Sequence, residues 1–324
     1  MTAFAAEPPG RACPLEYRYG AAALAAPATL FADTLWVAGG LYGNPFALRR
    51  LGEMLAEEPG EAMLVFNGDF HWFDVDEAAF AEIERGVASH TATRGNVETE
   101  LASPHAGAGC GCAYPQWVSD AEVARSNRIL ERLRSTAARF PQARARLAAL
   151  AMFRIAEVGG ARIAVVHGDA DSLAGWGFSQ EALASAAGRQ AARAAFDVAG
   201  VRVFASSHTC LPVLQRFDGE RAVINNGAAG MPNFAGTRFG LATRISVRAS
   251  ARALYGARLG GLHVEAVPIE YDHRAWLQAF AAQWPAGSDA DLSYRRRIED
   301  GPRYEVSEAL RGARRPCLQS ATRQ

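Results

Sequence analysis

The sequence predicts an α/β domain that carries its chemistry at the ends of its strands. Short apolar runs alternate with stretches of helical period, and glycine turns close those runs. The polar residues best suited to catalysis fall immediately after them. With 324 residues, 49% of them hydrophobic and 21% charged, the composition is that of an ordinary globular protein.

Residues 1–33, punctuated by Pro8, Pro9, Pro14 and Pro27, read as an irregular arm. Order begins at the buried strand Thr34–Ala38, ending at Gly39-Gly40. A helix follows from Pro45, with Asn44 as its cap and Leu48, Leu51 and Leu55 on one face. Met63–Phe66 reads as a second strand, Asp76–Val87 as a helix and Ala92–Arg94 as a brief third strand, a succession that suits parallel crossovers. The stretch 97–118 contains Ala-Gly-Ala-Gly-Cys-Gly-Cys, too rich in glycine for a regular element. Ser119 to Glu122 then opens an arginine-rich helix to about Ala138, and another covers Ala143–Met152, so that 97–150 forms a loop and helical insertion near the pocket. Arg154–Val158 and Ile163–Val166 pair through a turn at Gly159-Gly160. Ser179 caps a helix to about Val198, and Val201–Ala205 is the next strand. Ala222–Ile224, Ala242–Val247 and His263–Ile269 extend the β structure to about residue 272. A helix from about Arg274 to Gln283 and a polar tail complete 273–324.

Formal net charge is zero, so nothing global argues for a nucleic-acid or membrane surface. All 34 basic residues are arginine, on helices and tails alike. No apolar run reaches the roughly 20 residues needed to span a bilayer, and Pro27 and Asp33 interrupt the alanine-rich stretch from Ala21 to Leu35. The odd count of five cysteines suits a reduced, cytoplasmic protein.

Four strand-end sequences carry the chemistry: Asn67-Gly68-Asp69, Arg94-Gly95-Asn96, His167-Gly168-Asp169 and Ser207-His208-Thr209-Cys210. One Asp, one Asn and two His make a mixed oxygen and nitrogen set suited to a divalent transition metal such as Mn, Fe, Zn or Ni.

The order of these motifs resembles the calcineurin-like metallophosphoesterase pattern, from about Leu35 to Pro232, together with Gly43-Asn44 and Ile224-Asn225-Asn226-Gly227. The resemblance implies a four-layer α/β/β/α sandwich of two mixed sheets flanked by helices, with a two-metal centre at the strand ends. It places Asp69, Asn96, His167 and His208 at the ligands of the second metal, all four present. Of the first metal's ligands only Asp69 is kept, the other positions being Gly40, Tyr42 and Cys210. One ion is therefore expected, with two possible if Tyr42 or Cys210 substitutes. Val97 stands where monoester-cleaving members have a histidine that protonates the leaving group.

Cys210 reads either as a soft ligand or as a small residue filling a lost histidine's space. Tyr42 is either a ligand or a hydrogen-bond donor to phosphate. His71 is a substitute general acid or a satisfied loop histidine. Arg94 grips phosphate or is simply solvated. Asn44 and Asn226 could donate to phosphate oxygens. Cys110-Gly-Cys112 has the wrong spacing for a zinc ribbon; it is an incidental glycine loop or one that folds over the pocket and offers a thiolate or backbone donors to an anion. The expected activity is metal-dependent hydrolysis of a small phosphorylated substrate, a diester ahead of a monoester, by a metal-activated water. The alternatives are a retired phosphoesterase fold that binds a ligand or partner, and a redox or metal sensor using Cys110, Cys112 and Cys210. The oligomeric state is not legible in the sequence.

Overall fold

Two mixed β-sheets pack face to face, with helices on both outer faces, in the computed structural model, which describes residues 8–104 and 107–312. In chain order the strands are β1 (Leu30–Phe31), β2 (Thr34–Ala38), β3 (Ala62–Asn67), β4 (Thr91–Thr93), β5 (Phe153–Val158), β6 (Ala161–Val166), β7 (Val203–Ser206), β8 (Val213–Phe217), β9 (Arg221–Asn225), β10 (Gly240–Ser246), β11 (Tyr255–Leu259), β12 (Leu262–Ile269) and β13 (Leu310–Arg311). The helices are α1 (Pro45–Ala56), α2 (Glu77–Ala88), α3 (Asn96–Ala102), α4 (Asp120–Ala137), α5 (Pro141–Ala149), α6 (Gln180–Ala184), α7 (Ala186–Ala199), α8 (His273–Gln283), α9 (Asp289–Asp300) and α10 (Val306–Ala309). One sheet has the order β1-β5-β6-β7-β9-β8-β13 and the other β11-β12-β10-β2-β3-β4.

Successive side chains of a strand point to opposite faces, and here both faces are covered. Leu35, Val37 and Val65 meet Ile163, Val165, Val203 and Ile224 between the sheets. Trp36, Leu64 and Phe66 point the other way, onto Leu48, Leu51, Phe80 and Ile83 of α1 and α2. On the far side, Ala164, Val166 and Phe204 pack under Leu183 and Phe196 of α6 and α7. Each fully buried large apolar side chain contributes about 1.5–3 kcal/mol.

Strands β2, β3 and β4 run parallel in one sheet, and β6, β7 and β9 run parallel in the other. The loops after their C-terminal ends meet at the seam between the sheets, where Asn67 Nδ2 donates to Val166 O at 2.7 Å and to Ser207 Oγ at 3.0 Å.

Several elements differ from the sequence expectation. The 97–118 stretch opens with helix α3, because Glu98 at its third position accepts from Gly95 N and closes the first turn. The helix expected at 143–152 begins instead at Phe140-Pro141, where proline's fixed φ suits a first helical position, and ends at Ala149. The helix expected from Ser179 to Val198 is two, since Ser185 leaves helical geometry and recaps the chain through its hydroxyl. The arm is not wholly irregular: Leu15–Tyr17 and Ala21–Ala25 form 3-10 turns, and β1 adds in parallel to β5. The segment after Gln283 is more than a polar tail. Helix α9 docks on α4 through Arg128–Asp289 and Arg125–Ser293 pairs, and buries Ala290 and Ile298. The rest of the tail, 313–324 with Cys317, lies outside the described residues. No described helix is long and apolar enough to cross a membrane.

Candidate metal centre

Beyond β3 the chain turns through Gly68 into Asp69, whose φ of 52° is left-handed, a conformation disfavoured for a residue with a side chain. Buried Glu98 offsets that cost. Its carboxylate accepts from Asp69 N at 2.7 Å, Phe70 N at 3.0 Å and Gly95 N at 2.8 Å. Gly95 allows the approach, because a Cβ there would lie 2.3 Å from Asp69 Oδ1. That oxygen accepts from Val97 N at 3.2 Å.

Asn96 opens α3. Its amide nitrogen donates to Cys110 O at 2.9 Å, which turns Oδ1 toward His167 Nε2 at 3.3 Å. His167 Nδ1 lies 2.7 Å from Asn67 O, and His208 Nε2 lies 3.1 Å from Cys112 O. A carbonyl only accepts, so each of these nitrogens carries the hydrogen. The opposite nitrogens, His167 Nε2 and His208 Nδ1, therefore face each other at 3.2 Å. Burial opposes charge on His167, but the neighbouring Asp69 raises its pKa, which favours a proton on Nε2 that a metal would displace. Asp69 Oδ2 lies 3.3 Å from His167 Nε2. Ligand atoms of Asp69, His167 and His208 all fall within 4.8 Å of one another, and these residues form a candidate divalent-metal site.

Electrostatics follow from burial and this proximity. Burial opposes the charge on Asp69, but His167 and then His208 hold its carboxyl below the usual range. Burial and the neighbouring His167 push His208 down to about 3, so it is a neutral imidazole. Burial pushes up the Cys112 thiol and, at Cys210, outweighs the lowering by Arg297.

A cavity of about 400 Å³ opens over these residues, and Tyr42, Trp72, Cys112, Trp176, Tyr294 and Arg297 are among its walls. Tyr42, His208 and Cys210 also have positive φ, at 54°, 35° and 61°. With Asp69 they concentrate backbone strain at one cavity, as functional sites do.

Two solved structures share this architecture. A hypothetical protein of Pyrococcus horikoshii superposes with a TM-score of 0.57 at 16% identity, covering 84% of this chain and 99% of its own. A metallophosphoesterase of Sphaerobacter thermophilus superposes at 0.52 with 16% identity, covering 83% and 100%. The fold is that of a calcineurin-like metallophosphoesterase. No protein-family model and no curated protein matches the chain.

Within a calcineurin-like metallophosphoesterase fold, the fate of the first-metal positions is specific. A side chain on Gly40 would collide with Tyr42, whose Cε2 lies 2.8 Å from the place of a Cβ. The phenol contacts Cys210 Sγ at 2.8 Å. Tyr42 thus packs against the backbone at Gly40, the position at which the sequence resemblance expects a first-metal aspartate. Cys210, read as a possible ligand, falls outside the Asp69, His167 and His208 cluster and is engaged with Tyr42.

Four other candidates stay away from the cavity lining. His71 is wholly buried, 2.5 Å from Asp74 Oδ2 and 3.2 Å from Glu84 Oε1, and it stacks on Phe80. Burial opposes its charge, but Asp74 and then Glu84 hold it up to about 9, so it is a structural cation and not a general acid. Arg94 reaches Ala148 O at the end of α5 at 3.4 Å. Asn44 caps α1 through Oδ1 and donates to Gly230 O, which uses its hydrogen-bonding atoms in the fold. Asn226 is likewise consumed, donating to Gly39 O and Leu241 O and accepting from Ser207 Oγ.

The Cys110-Gly-Cys112 loop does fold against the site, but as acceptors: its carbonyls fix Asn96 and His208. The arm holds this loop in turn, through Gly10 N to Ala108 O, Arg11 to Pro115 O and Val118 O, and Tyr17 to Glu100. All four cysteines among the described residues are free thiols.

Residues not anticipated include Trp72, Trp176, Tyr294, Arg297 and above all Glu98. The Gly95-Asn-Val-Glu98 spacing of a helix start was the available signal for Glu98. Replacing Glu98 with alanine strands several buried N–H groups. It is expected to destabilise the fold by about 2–4 kcal/mol and weaken metal binding about 10–100-fold, as denaturant melts and metal titration would register.

Proposed function

We propose that this protein is a metal-dependent phosphoesterase acting on phosphodiesters or similarly activated esters, with one ion at Asp69, Asn96, His167 and His208. The observation that carries the reading is the pair of imidazole nitrogens 3.2 Å apart, each ring fixed by its outer N–H on a carbonyl, beside a carboxylate. Without metal a proton on His167 Nε2 is shared toward His208 and Asp69; a divalent cation can take its place, and the N/O donor set favours Mn, Fe, Zn or Ni. Such an ion supplies Lewis-acid polarisation of a phosphoryl oxygen and a lowered pKa for water.

The chain's own side chains would do the rest. Trp72 lines the cavity, and its Nε1 is buried without a partner. Arg297, held by its bond to Cys210 O, brings the positive charge among the described lining residues. Tyr42, paired with Cys210, orients the ester. A water oxygen bonds to phosphorus as the ester P–O bond breaks, and the departing alkoxide takes up a proton to leave as alcohol. Val97 offers no acid for a poor leaving group, and a single guanidinium suits a monoanionic diester better than a dianionic monoester.

The test is elemental analysis of the purified protein, joined to hydrolysis of bis-p-nitrophenyl phosphate after adding Mn²⁺, Ni²⁺ or Zn²⁺. About one ion per chain with metal-dependent turnover is expected from the four-ligand site. About two would mean that Tyr42 and Cys210 admit a first ion after all. Neither metal nor turnover would overturn the enzyme reading in favour of a fold retained for binding.

A further inference from the structure

The cavity is larger than a phosphate needs, and its outer part has a distinct chemistry. From His208 a chain of rings leads outward: Trp176 lies 5.6 Å from His208 edge-on, and Trp117 lies 5.5 Å from Trp176 at 86°. Tyr114 joins Trp176 from a third direction at 6.1 Å. Trp117 is 62% exposed, an unusual placement for the largest apolar side chain unless something covers it. The charges lining the cavity are segregated. The metal ligands Asp69 and His208 are buried at the floor and Arg297 is half-buried, whereas Glu122 and Glu181 are exposed, Glu122 opening α4 five residues beyond Trp117 and accepting from Ser119 Oγ through one carboxylate oxygen. A floor that takes an anion and an aromatic, acidic mouth together match a zwitterion.

The geometry points to a phosphodiester whose second alcohol carries a quaternary ammonium group, with the phosphate on the floor and the cation among Trp117, Trp176 and Tyr114. Rings set at steep angles to one another present several faces to one cation, and the carboxylates at the mouth add charge complementarity. This assignment rests on the phosphoesterase reading for its floor, but the outer subsite can be measured without turnover.

The first readout is binding. Tryptophan fluorescence of the full chain is titrated with phosphocholine and with neohexyl phosphate, in which a tert-butyl group replaces trimethylammonium. The cationic ligand is expected to bind about tenfold tighter, the scale of one cation–π site. Trp117→Ala should bring the two ligands within about twofold of each other, and Trp117→Phe should keep most of the preference. The second readout is hydrolysis of p-nitrophenyl phosphorylcholine, its neohexyl counterpart and p-nitrophenyl thymidine phosphate under the best metal. A kcat/KM preference for the choline ester supports the assignment. Equal binding and equal turnover of the choline and neohexyl compounds would overturn it. A preference for the thymidine ester would overturn it too, in favour of base stacking. Loss of all turnover with selective phosphocholine binding intact would defeat the hydrolase reading while sustaining the subsite.

Discussion

An Asp69→Asn substitution is expected to empty the metal centre while leaving the protein folded. Asparagine tolerates the left-handed φ of 52° and can still accept from Val97 N, so the turn after β3 survives. What it lacks is the negative charge beside His167 Nε2. Metal affinity should fall at least about 100-fold, more than the loss of an outer partner costs, because a ligand itself is removed. Metal per chain after dialysis, read by elemental analysis, should drop well below the wild-type value. The melting temperature of the metal-free protein should move by only roughly 4 °C, about 1 kcal/mol or less. Full metal content in the mutant would remove Asp69 from the site.

His71→Ala is expected to do the reverse. His71 sits between Asp74 and Glu84, with Glu84 also held by Arg146 and the ring stacked on Phe80 at 4.2 Å. Removing the imidazolium leaves two buried carboxylates without their shared counter-ion, a defect on the order of 3–5 kcal/mol. Chemical denaturation should register that loss, while metal stoichiometry and the metal dependence of turnover persist. Unchanged stability with turnover abolished would instead return His71 to the catalytic role that its position two residues after Asp69 suggests.

The contrast between these residues shows where sequence reading succeeds. Asp69, Asn96, His167 and His208 were legible because each lies within three residues of a strand's C-terminal end, and parallel strands deliver those ends to one edge. Asn44 was half legible: its role as the cap of α1 follows from the Pro after it, and the cap proved to be its whole role. His71 and Arg94 were left open between cavity and structure, and Asn226 was read toward the cavity, for a common reason. A polar side chain near a strand end has two directions available, and only the packed neighbours decide between cavity and core. For Arg94 the decision was the carbonyl of Ala148, 54 residues away, and for Asn226 those of Gly39 and Leu241.

Local pattern by itself determined much of the strand and helix order from β2 to α8, the capping of α1, α4 and α6, and the four side chains that meet at the seam. These depend on periodicity, on proline and glycine, and on residues adjacent in the chain. Only the tertiary structure decided what surrounds them: the Glu98 carboxylate beneath Asp69, the Cys112 carbonyl that sets the His208 tautomer, the Tyr42–Cys210 contact over Gly40, and α9 bringing Tyr294 and Arg297 to the cavity. Such contacts join segments tens to hundreds of residues apart. Their strength comes from burial in a low-dielectric interior that exists only once both sheets and their helices have closed on one another.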